Sequence, residues 1–227
     1  MRNLLLATAV LVLALTGCSD NSSGESEQTP EDRLAEAKAG FDDARFIEFQ
    51  LETESLPDGL DEGLLRADGT GTHDPAFTGE VKVKTRLADI TAALVAVDGK
   101  VYAELPFTGW SELDPGDYGA PDPANLMDPK AGISSLFTAT RDASEGGSER
   151  DGGRVLTRID GTVPGDAVKA VFPSSDTTAF DISYLLDEDN VVDSVTMTGP
   201  FYSGRDDVTY RIDLNLDGDA VMIEAPI

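Results

Sequence analysis

The sequence predicts an α+β protein, with one large antiparallel sheet and a few helices gathered on one face. Three observations predict it. Apolar and polar residues alternate with period two over several separated stretches, the signature of half-buried strands. Turn dipeptides such as Asp98-Gly99 and Asp217-Gly218 join neighbouring stretches as hairpins. The helical stretches are announced by Thr29-Pro30 and by Pro164, and the order runs helix, strands, helices, strands. Strict β-α-β alternation, which would call for a parallel sheet, is missing from that order.

The N-terminus is read separately from the fold. Arg2, the apolar run Leu4–Leu15 and the small residue Gly17 make a secretory signal over residues 1–17. The run is shorter than the roughly 20 residues that span a bilayer. Leu15-Thr16-Gly17-Cys18 resembles the bacterial lipobox, in which the cysteine thiol is diacylated and begins the mature chain. That implies lipidation at Cys18 and attachment to the membrane through S-diacylglyceryl and N-acyl groups. Cys18 is the sole cysteine, so a disulfide framework is excluded. Residues 18–30 then read as the acylated cysteine and a linker, because Ser19–Pro30 holds no apolar residue. Such a linker has a mean reach of about 17–20 Å and a maximum of about 40 Å.

Residues 31–227 read as one domain. Pro30 and the acids Glu31 and Asp32 start a helix with Leu34, Ala37 and Phe41 on one face. Ile47, Phe49 and Leu51 alternate with Glu48, Gln50 and Glu52 as a strand. Leu56–Gly71 is rich in Gly and Asp and shows no clear period, and the β pattern resumes at Gly79 with Val81 and Val83. Ile90–Val97 is apolar on both faces and turns at Asp98-Gly99 into Lys100–Leu105. A strand of that kind, rich in alanine, is buried on both sides, against helices or against an interior space lined by small groups. Pro106–Pro129 is irregular, with Trp110 and Tyr118 inside it and a short helical turn at Asn125–Pro129. Ile133–Thr140 reads as a helix, Ala143–Gly153 as a polar loop, Arg154–Val163 as a strand and Pro164–Phe172 as a helix. A meander follows: Phe180–Leu186, Val191–Thr198, Val208–Leu214 and Ala220–Ala225. About nine strands result.

The charge bounds the partners. Against 17 basic residues stand 43 acidic ones, a formal net charge of −26. Nucleic acid would repel such a body. Candidate chemistry is sparse. Asp213, Asn215, Asp217, Gly218 and Glu224 match the calcium-loop pattern by spacing, but the flanks alternate as strands, whereas that loop lies between helices. His73 is the lone histidine; it sits in the turn Thr72-His73-Asp74-Pro75 and reads as an exposed loop residue, with no second His to build a metal site or catalytic dyad. No Gly-x-Ser-x-Gly elbow and no phosphate loop occurs. Phe107 and Trp110 around Gly109 are open to a sugar-platform reading but read first as core or as a lid on it. No catalytic residue, metal site or cofactor is therefore expected.

Gly79-Glu-Val81-Lys-Val83, Ala88-Asp-Ile90 and Val97-Asp98-Gly99-Lys-Val101-Tyr102-Ala103 resemble the central hairpin of the LppX/LprG-type actinobacterial lipoproteins. Trp110-Ser-Glu-Leu113, Asp122-Pro123, Asp128-Pro129, Gly132-Ile133, Leu136, Gly161-Thr-Val163-Pro164 and the final meander continue the likeness. The acidity and the insert at Leu56–Gly71 depart from it. The resemblance implies a single half-barrel, a strongly curved antiparallel sheet wrapped around a few helices with an apolar cavity between them, similar also to the LolA/LolB carriers. It implies a non-enzymatic carrier of triacylated glycolipids, phospholipids or triacylglycerol across the envelope, held on the extracytoplasmic face of the cell membrane. By position, Val81 matches the cavity mouth. A membrane exporter is a further candidate partner. The expected lining is Phe49, Leu51, Val81, Val83, Ala92, Leu94, Ala96, Ile133, Leu136, Phe137, Phe180 and Ile182, subject to register, because a one-residue slip flips every strand residue to the other face. Two other classes stay open: an envelope assembly or adhesion module with a solid core, and a surface hydrolase using carboxylates.

Overall fold

The computed structural model describes residues 28–105, 108–118 and 120–227. The expected signal peptide and Cys18 lie outside these residues. Eleven strands form one open antiparallel sheet in the order β6-β5-β4-β3-β2-β1-β11-β10-β9-β8-β7. In chain order they are β1 Ile47–Glu52, β2 Gly63–Thr72, β3 Ala76–Lys84, β4 Asp89–Val97, β5 Lys100–Leu105, β6 Gly109–Leu113, β7 Arg141–Asp151, β8 Arg154–Val163, β9 Phe180–Leu186, β10 Val192–Gly199 and β11 Val208–Asn215. Three helices, α1 Pro30–Asp43, α2 Ser135–Ala139 and α3 Gly165–Val171, and a 3-10 turn at Pro123–Met127 complete the core-facing elements. The expected α+β class and the helix–strands–helices–strands order both hold.

Helix α1 begins as its sequence dictates. The Thr29 hydroxyl accepts from the Asp32 N–H at 3.1 Å while the Asp32 carboxylate faces the Thr29 N–H, a reciprocal cap. Leu34, Ala37 and Phe41 are buried on one face, as their spacing requires. The helix also shows that the sheet curls. Arg33 reaches Glu145 of β7 at 3.5 Å, and the Phe41 carbonyl meets His73, in the turn between β2 and β3, at 2.9 Å. Eight residues of helix span about 12 Å, whereas six strand spacings from β2 to β7 would cover about 29 Å if flat. Both wings are therefore drawn in around the helix.

Four expectations are corrected. Leu56–Gly71 is not structureless: it contains most of β2, whose alternation is masked because its core-facing positions are Ala67, Gly69 and Gly71. The strand pairing with it begins at Ala76, before Gly79. Ala143–Gly153 is not a loop but lies almost wholly in β7, an edge strand whose residues are mostly exposed, so nothing selects an apolar row there. Ala220–Ala225 carries no regular structure, and the chain leaves the sheet after Asn215. The Asp98-Gly99 hairpin forms as expected, with both residues at positive φ, 55° and 71°.

Lys38 ties the helical layer together. Its ammonium donates to Asp42 at 2.6 Å, to the Pro129 carbonyl at 2.6 Å and to Ser134 at 3.2 Å, and the Ser134 hydroxyl donates to Asp42 at 2.6 Å. Ser134 is fully buried, so this network satisfies polar atoms that water cannot reach.

Candidate functional site

Register assigns one face of the sheet to the helices. Leu51 pairs with Ala67, Ala67 with Val81, and Val81 with Ala92. Val83 pairs with Ile90, Gly79 with Leu94, Phe77 with Ala96, Leu94 with Ala103 and Ala96 with Val101. The nominated strand residues Phe49, Leu51, Val81, Val83, Ala92, Leu94 and Ala96 therefore share a face. Phe180 and Ile182 join them through β10 and β11, because Ile182 pairs with Met197 and Met197 with Tyr210.

Packing divides the nominated residues. Ile133, Leu136, Phe137, Phe180 and Ile182 are at most 2% exposed and belong to a dense core beneath the helices. Rings interlock there: Phe137 meets Tyr184 edge-on at 4.9 Å, and Phe180 meets Phe201 at 5.0 Å. Phe49, Leu51 and Ala96 belong to the same core, with Phe49 stacked on Phe77 at 5.5 Å. Val81, Val83 and Leu94 lie toward the β3–β4 hairpin and are only half-buried, and Ala92 beside them is at the edge of burial.

Burial is complete at one end of this face and lost at the other. Phe77 and Ala96 are covered by the 3-10 turn, where Met127 is fully buried and its side chain fills the space above Gly71. Farther along, Ile90 is 38% and Leu105 39% exposed among the described residues. The result is an apolar strip, covered at the helical end and exposed at the β3–β4 end; on the curled sheet it is the floor of an open trough and not the enclosed cavity expected, and neither cleft described below is lined by it. From Phe77 to Val83 it runs about 20 Å. Leu56 and Leu64 pack against the core, where the Tyr202 hydroxyl accepts from the Leu64 N–H at 2.9 Å and lies 2.8 Å from the Tyr210 hydroxyl, which donates to the Leu64 carbonyl at 2.6 Å. Burial pushes the Tyr210 phenol well above its ordinary value.

Sequence reasoning did not nominate Phe77, Ile90, Val101, Ala103 or Leu105. A two-residue Asp98-Gly99 turn sets Val97 opposite Lys100 and carries the β4 face onto Val101, Ala103 and Leu105. That signal was present in the sequence.

Two measurable clefts lie elsewhere. One of about 480 Å³ is bordered by Arg150, Asp151, Asp193, Arg211 and Asp213, and one of about 230 Å³ lies between the 3-10 turn and the end of α3. The calcium-like spacing falls on β11 and beyond it: Asp213 is bridged to Arg211 at 2.6 Å, and Asn215 donates to Glu48 at 3.0 Å. Among the described residues no group of three or more His, Cys, Asp or Glu is arranged to hold a metal. His73 is not the exposed loop residue expected. Half-buried, it sets Nδ1 2.5 Å from the Met127 carbonyl and Nε2 2.9 Å from the Phe41 carbonyl. Trp110 is half-buried on β6.

A family model described as LppX_LprAFG lipoprotein matches residues 29–222, from the cap of α1 to beyond the last strand. The chain belongs to this family. Among curated LppX_LprAFG-type relatives, the lipoarabinomannan carrier protein LprG of Mycobacterium tuberculosis (strain H37Rv) is 29% identical over 171 residues, covering 74% of this chain and 72% of the relative. LprG of Mycobacterium leprae is 29% identical over 175 residues, covering 74% and 70%. Among solved structures, LprF from Mycobacterium bovis superposes with a TM-score of 0.71 at 12% identity, covering 87% of this chain and 96% of LprF. LppX from Mycobacterium tuberculosis gives a TM-score of 0.63 at 16% identity, covering 86% and 98%. These two share the fold of this LppX_LprAFG member. No described helix is long and apolar enough to cross a membrane.

Proposed function

We propose that this protein is a lipid carrier of the cell envelope, tethered through acylated Cys18 on the extracytoplasmic face of the cell membrane. Acyl chains of an acylated glycolipid, phospholipid or triacylglycerol lie along the trough, with the polar headgroup left at its open end. The loss of burial from Phe77 to Ile90 carries the reading, because a face built only to pack against helices has no use for an apolar row that continues uncovered. The name of the LprG relatives, lipoarabinomannan carrier protein, supports it. So do the energetics. Each buried methylene contributes about 0.8 kcal/mol, so hiding a sixteen-carbon chain is worth about 13 kcal/mol. A lipid crossing an aqueous gap needs such a shelter. The proposed activity breaks no covalent bond.

The test uses the chain from Ser19 onward, purified from its host. Native mass spectrometry is expected to find lipid attached. Val81→Trp, at the expected mouth, is expected to block loading and abolish most of that lipid while the protein stays folded. A wild-type protein that arrives free of lipid overturns the reading. It would favour the solid assembly module, for which the interlocked rings beneath the helices are the supporting observation.

A further inference from the structure

Leu87 is 95% exposed at the tip of the β3–β4 hairpin. A single exposed leucine is ordinary, but this one has three companions. First, the turn that presents it is hydrogen-bonded within itself. The Thr85 N–H donates to the Ala88 carbonyl at 3.1 Å, the Thr85 hydroxyl donates to the same carbonyl at 2.6 Å, and the Ala88 N–H lies 3.3 Å from that hydroxyl. Main-chain groups of the tip are thus satisfied within the turn, and the leucine is held outward at little further entropic cost. Second, the tip continues the trough: Val83 and Ile90, the pair just below it, are the last residues of the apolar face.

Third, cations gather on this tip, with Asp61, Glu62 and Asp89 as their acidic neighbours. In a chain of net charge −26, Lys82, Lys84 and Arg86 fall within five residues of one another on this hairpin. Arg86 pairs with Asp61 at 2.9 Å and Lys82 with Asp89 at 3.4 Å, with all four side chains 47% or more exposed. Exposed pairs of this kind are weak and exchange readily for other partners. Anionic headgroups, which the rest of the body repels, find cations here.

The geometry points to the β3–β4 hairpin as a membrane-docking tip: Leu87 enters the bilayer interface, Lys82, Lys84 and Arg86 meet lipid phosphates, and the open end of the trough is set against the lipid surface. The docking itself needs no cargo; only its purpose rests on the carrier reading.

The experiment is co-sedimentation of the chain from Ser19 onward, which keeps every described residue, with vesicles of phosphatidylcholine and phosphatidylglycerol in equal parts. Wild type is expected to bind. Leu87→Ser should lower the bound fraction about tenfold with an unchanged melting temperature, since the side chain packs against nothing. Leu87→Trp should retain binding and show a blue-shifted emission on vesicles that the wild type, with Trp110 alone, does not. Lys84→Ala with Arg86→Ala should weaken binding and flatten its salt dependence. A wild type that ignores these vesicles, including one that captures a membrane protein in their place, overturns the proposal. So does a Leu87→Ser variant that binds as well as wild type. Native mass spectra of the same preparations separate the two readings: co-purified lipid with no vesicle binding sinks the docking tip alone, and vesicle binding without co-purified lipid sinks the carrier alone.

Discussion

Gly69 and Gly79 face each other across β2 and β3, and the Phe77 ring lies over both. A β-carbon on Gly79 would stand 2.8 Å from the Gly69 α-carbon and 2.6 Å from Phe77 Cζ. The pair lets the two strands approach and bend while the ring supplies the buried area that glycine lacks. It also sits where the filled core gives way to the open trough. Gly79→Ala is expected to cost about 1–3 kcal/mol, as overpacking of a tight site does. The check is a urea unfolding curve, with a lower midpoint and an unchanged slope. A midpoint equal to wild type would show that the bend tolerates a methyl group.

His73 works as a clamp. It is set between the last turn of α1 and the end of the 3-10 turn, and its ring stands edge-on to Phe41 at 6.0 Å. His73→Ala strips a donor from carbonyls at these two helical ends and is expected to cost about 1–2 kcal/mol. His73→Gln, which keeps an N–H donor, should lose less. Thermal melts of the three proteins at one pH decide it, and equal melting temperatures for Ala and Gln would remove the hydrogen bonds from the account.

Alkaline pH should unfold the protein from its tyrosines. Burial raises the phenols of Tyr210 and Tyr184 above their ordinary value of 10.0; at Tyr210 the Tyr202 neighbour adds to the rise, and at Tyr184 the Thr140 hydroxyl partly offsets it. A raised folded-state value means that the native state holds its proton more tightly than the unfolded state does. The stability this contributes is whole below pH 10 and is lost as pH rises beyond it. Melting temperatures should therefore fall above about pH 10. Tyr210→Phe removes one titrating group, so its decline should be shallower, although it starts lower for want of the bond to Leu64. Parallel declines in the two proteins would count against this assignment.

Much of the architecture was legible in the residues. The capped start of α1, the Asp98-Gly99 hairpin and the apolar rows of β1, β9 and β11 are local signals, and local physics decides them. Strands β2 and β7 were not legible, for opposite reasons. The core side of β2 is glycine and alanine, whose burial no hydropathy pattern reveals, and β7 is an exposed edge with no apolar row to read.

Which residues can share a face follows from chain order alone, because alternation along a strand is a property of backbone geometry. What covers that face is settled by long-range packing. The helices and the 3-10 turn reach Phe77, Ala96 and Phe180 and stop short of Ile90 and Leu105. Coverage depends on where distant segments dock after the sheet has curled around α1, and no local pattern encodes that. The same residue types, valine, leucine and alanine in one row, become solid core at one end and open trough at the other.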